Sequence, residues 1–274
     1  GRRRNRRVEI SLRGPGGGAL RTLAIGWALG YVLEILAFMA TAALGARELL
    51  LAYPVLVILA ALAAIRARRA VDAEPAPDAE PAPDEDLSPD PRHLPWLVAG
   101  VSIIAIAYLA IAYFPTAPLP DNGTNTYFID YPRWIALAAD AKNHWPITDP
   151  SVAGEPLPYH YFVNIHLASV SQVTGLDLPL IYLRLYILPL AVVSVLLLVV
   201  AGRTLLGSST AGLLAACLAI LVGELRLDAQ DTFLAHTPFF GLFFTLLFRS
   251  PSFLLGLALF LPLLIVIGEQ IRER

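Results

Sequence analysis

Leu178-Pro179-Leu180-Ile181-Tyr182-Leu183-Arg184-Leu185-Tyr186-Ile187-Leu188-Pro189-Leu190-Ala191-Val192-Val193-Ser194-Val195-Leu196-Leu197-Leu198-Val199-Val200-Ala201 holds a single charged residue, Arg184, near its start. Roughly 20 apolar residues in helical form cross about 30 Å of hydrocarbon, and a water-soluble domain has no need of so long an unbroken run. Working outward, comparable runs lie at 20–44, 49–65, 94–114, 210–225 and 251–268. Of these, 20–44 is interrupted only by Arg21 at its edge and Glu34 inside. The expected fold is an all-α, polytopic transmembrane helical bundle with about six spans. Apolar residues make up 57% of the chain and charged ones 15%, and the charges crowd between the apolar runs, the pattern of a chain fitted to a slab of hydrocarbon.

The arginines set the expected direction. They cluster before the first run (Arg2 to Arg21), after the second (Arg66, Arg68, Arg69), after the fourth (Arg203) and after the sixth (Arg272, Arg274). With about six spans and a cytoplasmic N-terminus, every cluster falls on the cytoplasmic side, as the positive-inside rule requires. The expected location is the plasma membrane, crossed many times. Two further apolar stretches, 159–175 and 239–248, are expected as helices lying at the membrane surface or dipping into it. The first is too polar for a span and the second too short. The Arg-rich start resembles an export signal only superficially, because the apolar run behind it is too long and no small-residue cleavage pattern follows.

Three regions follow. Residues 1–69 form an Arg-rich start and a transmembrane hairpin. Residues 70–93 form an acidic, Pro-rich cytoplasmic linker in which Ala-Glu-Pro-Ala-Pro-Asp occurs at 73–78 and again at 79–84, a composition that builds no core. Residues 94–274 form the transmembrane core, with a large extracytoplasmic loop at 115–177 and a second at 226–250. Lys142 is the only lysine, which suits a GC-rich bacterial genome. The lone Cys217 excludes a disulfide framework and argues against metal–thiolate chemistry. A single methionine, Met39, and an initial glycine read as a piece of a longer protein or a processed one.

The large loop is where chemistry is expected. Asp130-Tyr131-Pro132 opens a helical pattern in which Trp134, Leu137, Ala138, Ala141 and Trp145 share one face. Tryptophans at both ends suit a helix in the headgroup region. A stiff, turn-rich segment, 144–158, then leads into Tyr159-His160-Tyr161-Phe162. Aromatic, carboxylate and imidazole groups at this density suit a site for an amphiphile, with apolar walls for a lipid tail and polar groups for hydroxyls.

From Asn143-His144-Trp145-Pro146-Ile147-Thr148-Asp149-Pro150 through Ala153-Gly154-Glu155-Pro156-Leu157-Pro158-Tyr159-His160-Tyr161-Phe162, and on to Thr174-Gly175, the loop resembles the first extracytoplasmic loop of bacterial GT-C-like membrane proteins. It is most similar to the YYY-motif group, with His160 in place of the middle tyrosine and Trp134 where many relatives carry a histidine. The resemblance covers about 94–268. It implies a GT-C-like bundle with extracytoplasmic amphipathic or juxtamembrane helices. It also implies a glycosyltransferase that moves a sugar from a polyprenyl-phosphate donor to a cell-envelope glycan or glycoprotein acceptor. Asp130 would be the catalytic carboxylate. Arg133, Asp149, Glu155, Tyr159, His160, Tyr161, His166 and Arg184 are the candidate substrate-binding residues. Asp228 and Asp231 in the second loop are candidate ligands for a divalent metal, Mg or Mn, with Asp130 across the loops.

Plainer readings stand beside each. Asp130 suits an N-cap, Asp149 and Glu155 suit turns, and Arg133 and Arg184 suit headgroup anchoring among the membrane lipids. Histidines such as His160 and His166 are more often satisfied structurally. Glu34, inside a span, calls for a paired charge. A transporter or lipid-handling protein is the competing function, and a noncatalytic membrane scaffold of the same fold the third. No basic–aromatic surface for nucleic acid appears.

Overall fold

The computed structural model describes residues 18–72, 90–110, 114, 117, 119, 130–152, 154–157, 160–221, 224–225, 239–240 and 251–272. Over these the chain is all-helical, apart from a two-residue antiparallel ladder between β1 (Glu224–Leu225) and β2 (Phe239–Phe240). The helices are α1 (Gly18–Ala43), α2 (Tyr53–Asp72), α3 (Leu94–Tyr108), α4 (Asp130–Asn143), α5 (Phe162–Thr174), α6 (Leu178–Leu206), α7 (Ser209–Leu221) and α8 (Pro251–Arg272). A 3-10 segment, Arg47–Ala52, turns the chain from α1 into α2.

Four helical segments are long and apolar enough to cross a membrane: Leu20–Ala43, Arg47–Ala67, Leu178–Leu206 and Ser252–Ile271. They lie where the first, second, fourth and sixth spans are expected. At the third and fifth positions stand the shorter apolar helices Leu94–Ala107 and Ser209–Ala219.

The stretch that decides the fold is also its hub. Most of its apolar length is buried inside the protein, whereas almost all of Arg47–Ala67 is exposed, so α6 is the inner helix and α2 stands apart at the periphery. Around α6 pack α1, α3, α7 and α8. Its first turns contain a π-turn, Ile181–Leu185, with the Tyr186 N–H bonded to the Ile181 carbonyl at 2.8 Å. Pro189 follows at once; it has no N–H to give the Leu185 carbonyl and its ring crowds that oxygen, so the widened turn sits where the regular ladder is interrupted.

The α6–α7 hairpin is the tightest contact of the bundle. Gly207 takes the left-handed conformation (φ 71°) that ends α6, and the Ser208 hydroxyl accepts from the Ala211 N–H at 3.2 Å to start α7. A Cβ at Gly202 would fall 2.3 Å from the Gly212 Cα, so only the absence of a side chain lets the backbones meet.

Ion pairs gather the helix ends. Arg21, at the start of α1, donates Nε–H to the Glu269 carboxylate near the end of α8 at 2.7 Å, and its second nitrogen reaches the other oxygen. Arg203, near the end of α6, pairs with Asp90 just before α3 at 3.1 Å. The starts of α1 and α3 and the ends of α6 and α8 therefore share one end of the bundle. At the opposite end Arg47 donates to the Lys142 carbonyl at the C-terminus of α4, where a cation suits the helix dipole.

Within the stretch 159–175, expected as a helix lying at the membrane surface or dipping into it, Phe162–Thr174 forms α5, which packs against α1, α4 and α8 with Val163, Asn164, Ile165, His166, Leu167, Ala168, Ser169 and Ser171 buried. Its polar side chains do not mark contact with water. Asn164 donates to the Trp134 carbonyl at 3.0 Å, and His166 Nδ1 meets Glu34 Oε2 at 3.1 Å. Of the second apolar stretch, 239–248, only Phe239 and Phe240 are described, and they lie in the ladder.

Candidate functional site

The site is built on α4. Tyr131, Trp134, Leu137, Ala138 and Ala141 form its buried stripe, facing α5, so the apolar periodicity of the loop sequence sets which residues turn inward. Helix α5 lies alongside in the same direction, since Asn164 meets Trp134 near the start of both helices and Lys142 Nζ donates to the Ser171 hydroxyl at 2.9 Å near their ends. Two parallel helices require the chain to return between them, and 144–161 is that return.

The return strap is anchored residue by residue. Asp140 is its post: one oxygen meets His144 Nδ1 at 2.7 Å, and the other accepts the Thr148 N–H at 2.8 Å. Asp149 then reaches back toward Arg133, with 3.8 Å between Oδ2 and the guanidinium, while its Oδ1 closes a turn on the Ser151 N–H at 2.8 Å. Thr148 bridges to Pro156, and the Asp149 N–H bonds to the Glu155 carbonyl at 3.0 Å, making a small turn of 149–155. The strap ends with His160 beside Trp134, ring centroids 6.1 Å apart.

Asp130 heads α4, partly exposed and in the first turn, where a carboxylate also suits the helix dipole. The neighbouring Tyr131 is fully buried and meets Tyr182 of the π-turn edge-on, with centroids 5.8 Å apart and planes at 83°. Asp130 directly precedes Tyr131 in the chain and so stands beside this pair of phenols at the start of α4. A carboxylate, a buried phenol pair, an indole, an imidazole and the Arg133–Asp149 pair are thus arranged along the first turns of α4.

The candidate residues divide accordingly. Asp130, Arg133, Asp149 and His160 gather around the N-terminal half of α4. Tyr161 stacks at a tilt with Phe162, 5.9 Å between centroids, at the strap's end. Glu155 contributes its backbone to the small turn, and its side chain is exposed. His166 belongs elsewhere: its ring lies between Tyr31 (4.1 Å) and Tyr186 (5.8 Å) and bonds Glu34, inside the bundle. Arg184 donates to the Ala117 and Leu183 carbonyls at 2.8 Å and lies 4.4 Å from the Phe114 ring centroid, holding the start of the loop. Tyr159, Asp228 and Asp231 lie outside the described residues. Among the described residues no group of three His, Cys, Asp or Glu side chains gathers to hold a metal ion.

Sequence reasoning missed Asp140, Asn164 and Tyr182. Asp140 and His144 stand four apart, the spacing of neighbours on one helix face, and that signal was available. Nothing local distinguishes Tyr182 from the other aromatic residues of an apolar span.

The chain matches no protein-family model, no curated protein and no solved structure.

Proposed function

We propose that this chain belongs to a GT-C-type integral membrane glycosyltransferase that uses a polyprenyl-phosphate-linked sugar donor. The observation that carries the reading is the position of Asp130. It is a partly exposed carboxylate at the head of a helix whose other face is sealed into the protein, bordered by the Tyr131–Tyr182 pair and by Trp134 and His160. In this reading α3 and α7 join the four long helices to make six crossings. The bundle end with Arg21, Arg203 and their partners is cytoplasmic by the positive-inside rule, and α4 with its strap lies on the extracytoplasmic side of the cell membrane.

The chemistry asked of the site is small. Asp130 takes the proton from the acceptor hydroxyl as the oxygen attacks the sugar's anomeric carbon, the bond from that carbon to the phosphate oxygen breaks, and the phosphate leaves with the electron pair. Arg133 and the strap backbone offer donors for the charge that builds on the leaving group. The apolar flank of the bundle takes the polyprenyl chain. A cell-envelope glycan or glycoprotein is the acceptor, and a divalent ion, Mg or Mn, held by Asp228 and Asp231 is the accompanying proposal for the second loop.

The test replaces Asp130 with Asn in the full-length protein and measures sugar transfer from lipid-linked donors. Turnover should fall by about 100-fold or more, the usual contribution of a positioned general base. Unchanged turnover removes Asp130 from the mechanism.

The transporter reading draws on one observation, the Glu34–His166 pair inside the bundle, since intramembrane ionisable pairs line many ion and substrate paths. Proteoliposomes distinguish the two. Glu34-dependent substrate or proton flux without sugar transfer would favour transport.

A further inference from the structure

Tyr182 is fully buried, yet its hydroxyl has no hydrogen-bond partner among the described residues. Leaving a buried hydroxyl unsatisfied destabilises the fold, and phenylalanine would fill the same space without that cost. The ring is not free to swing toward another partner. It is fixed edge-on against Tyr131 and carried on the π-turn Ile181–Leu185, while Arg184 on the same turn is bound to the carbonyls of Ala117 and Leu183. Widened turns of this kind recur at functional sites.

A second buried atom on the neighbouring helix is in the same condition. Asn164 is fully buried; its Nδ2 donates to the Trp134 carbonyl, which fixes the amide's orientation, and its Oδ1 has no partner among the described residues. Trp134 follows Asp130 by about one turn of α4. Three elements, α4, α5 and the π-turn of α6, thus bring a carboxylate, a phenol that donates or accepts, and an acceptor-only amide oxygen to the first turns of α4.

We infer that Tyr182 and Asn164 are sugar-binding residues of the Asp130 site, holding hydroxyl groups of the donor's sugar ring. This inference rests on the glycosyltransferase reading. A sugar hydroxyl both donates and accepts, so it satisfies a phenol and an amide oxygen together, whereas a phosphate oxygen only accepts and leaves Asn164 Oδ1 unmet. The polar ring enters the buried pair as the partner that neither atom has among the described residues.

The experiment compares the full-length wild type with Tyr182→Phe in lipid nanodiscs. It measures affinity for a panel of polyprenyl-phosphate sugars carrying glucose, mannose or arabinose, and for bare polyprenyl phosphate. Tyr182→Phe should weaken binding of the sugar-bearing donor by about tenfold, the value of one buried hydrogen bond, and leave bare polyprenyl phosphate unchanged. Its melting temperature should equal or exceed that of the wild type. Equal affinities for both lipids in wild type and variant overturn the inference and leave the transferase reading standing. An equal loss for both lipids assigns Tyr182 to the phosphate and likewise overturns it. A lower melting temperature with unchanged affinity means that the hydroxyl serves the fold through buried water, and this too overturns it. A wild type that binds no member of the panel and transfers no sugar overturns the reading and the inference together.

Discussion

Glu34 is a carboxylate within a helix long and apolar enough to cross a membrane, and the fold gives it a partner. Its side chain meets His166 of α5, and the ring stack Trp27–Tyr31–His166–Tyr186 encloses the contact. Removing one partner leaves the other buried without compensation, so Glu34→Ala or His166→Ala alone should destabilise the protein by about 3–5 kcal/mol. The double substitution Glu34→Leu with His166→Phe should recover most of that loss, because an apolar pair of similar volume needs no compensation. Denaturant unfolding of the four species closes the cycle, and purely additive losses would show that the two residues act independently. That Glu34 required a partner was legible from its place in an apolar run. That the partner is His166 was not, because the pair is separated by 132 positions and only packing of α1 on α5 joins them. Asp130 illustrates the opposite case: its place at the start of a helix follows from local sequence, while the contact of the adjoining Tyr131 with Tyr182 depends on how the first turns of α6 meet α4.

At the scale of elements, the strap between α4 and α5 depends on Asp140, which holds both His144 and the Thr148 backbone. Asp140→Ala should release the strap and leave α4 intact, since the buried stripe of α4 is untouched. Limited proteolysis should then cut within 144–157 several times faster at unchanged helix content by circular dichroism; an unchanged cleavage rate would mean that the strap is held elsewhere. The α6–α7 hairpin makes a sharper demand. At an exposed helix position Gly→Ala is favourable by about 1 kcal/mol, but a methyl at Gly202 or Gly212 has backbone within van der Waals range on the facing helix. Gly202→Ala should therefore lower the melting temperature, and a rise would contradict the close approach. Nothing local in the sequence marks either glycine as a point of close approach. Their role comes from each other. The widened turn of α6 was equally hidden, although Pro189 announces that the ladder is interrupted there.

Across the whole molecule, two ion pairs tie four helix ends together: Arg21 to Glu269 and Arg203 to Asp90. The first joins the opening helix to the last described one. Arg21→Glu should destabilise the bundle, and the swap with Glu269→Arg should restore part of the loss, read as melting temperature in detergent. No recovery would mean that the surrounding packing tolerates only one arrangement. The proposed topology has its own test. In a Cys217→Ser background, a cysteine at the exposed Ser151 should react with a membrane-impermeant reagent added outside intact cells. Labelling only after the membrane is opened would reverse the orientation and remove the extracytoplasmic site with it.

Sequence alone determined that this chain is a bundle of apolar helices with an amphipathic helix in its large loop, because apolar length and helical periodicity are local properties that hydrocarbon and water read directly. It also located the segment that contains Asp130 and the aromatic strap. Tertiary structure alone decided that α6 is the hub, that α5 packs against α1, α4 and α8, and that His166 meets Glu34 and Arg184 the Ala117 carbonyl while Arg133 pairs with Asp149 and His160 stands beside Trp134. The reason is physical. A polar residue in an apolar stretch reads the same whether it meets water or a buried partner, and only packing reveals which of the two satisfies it.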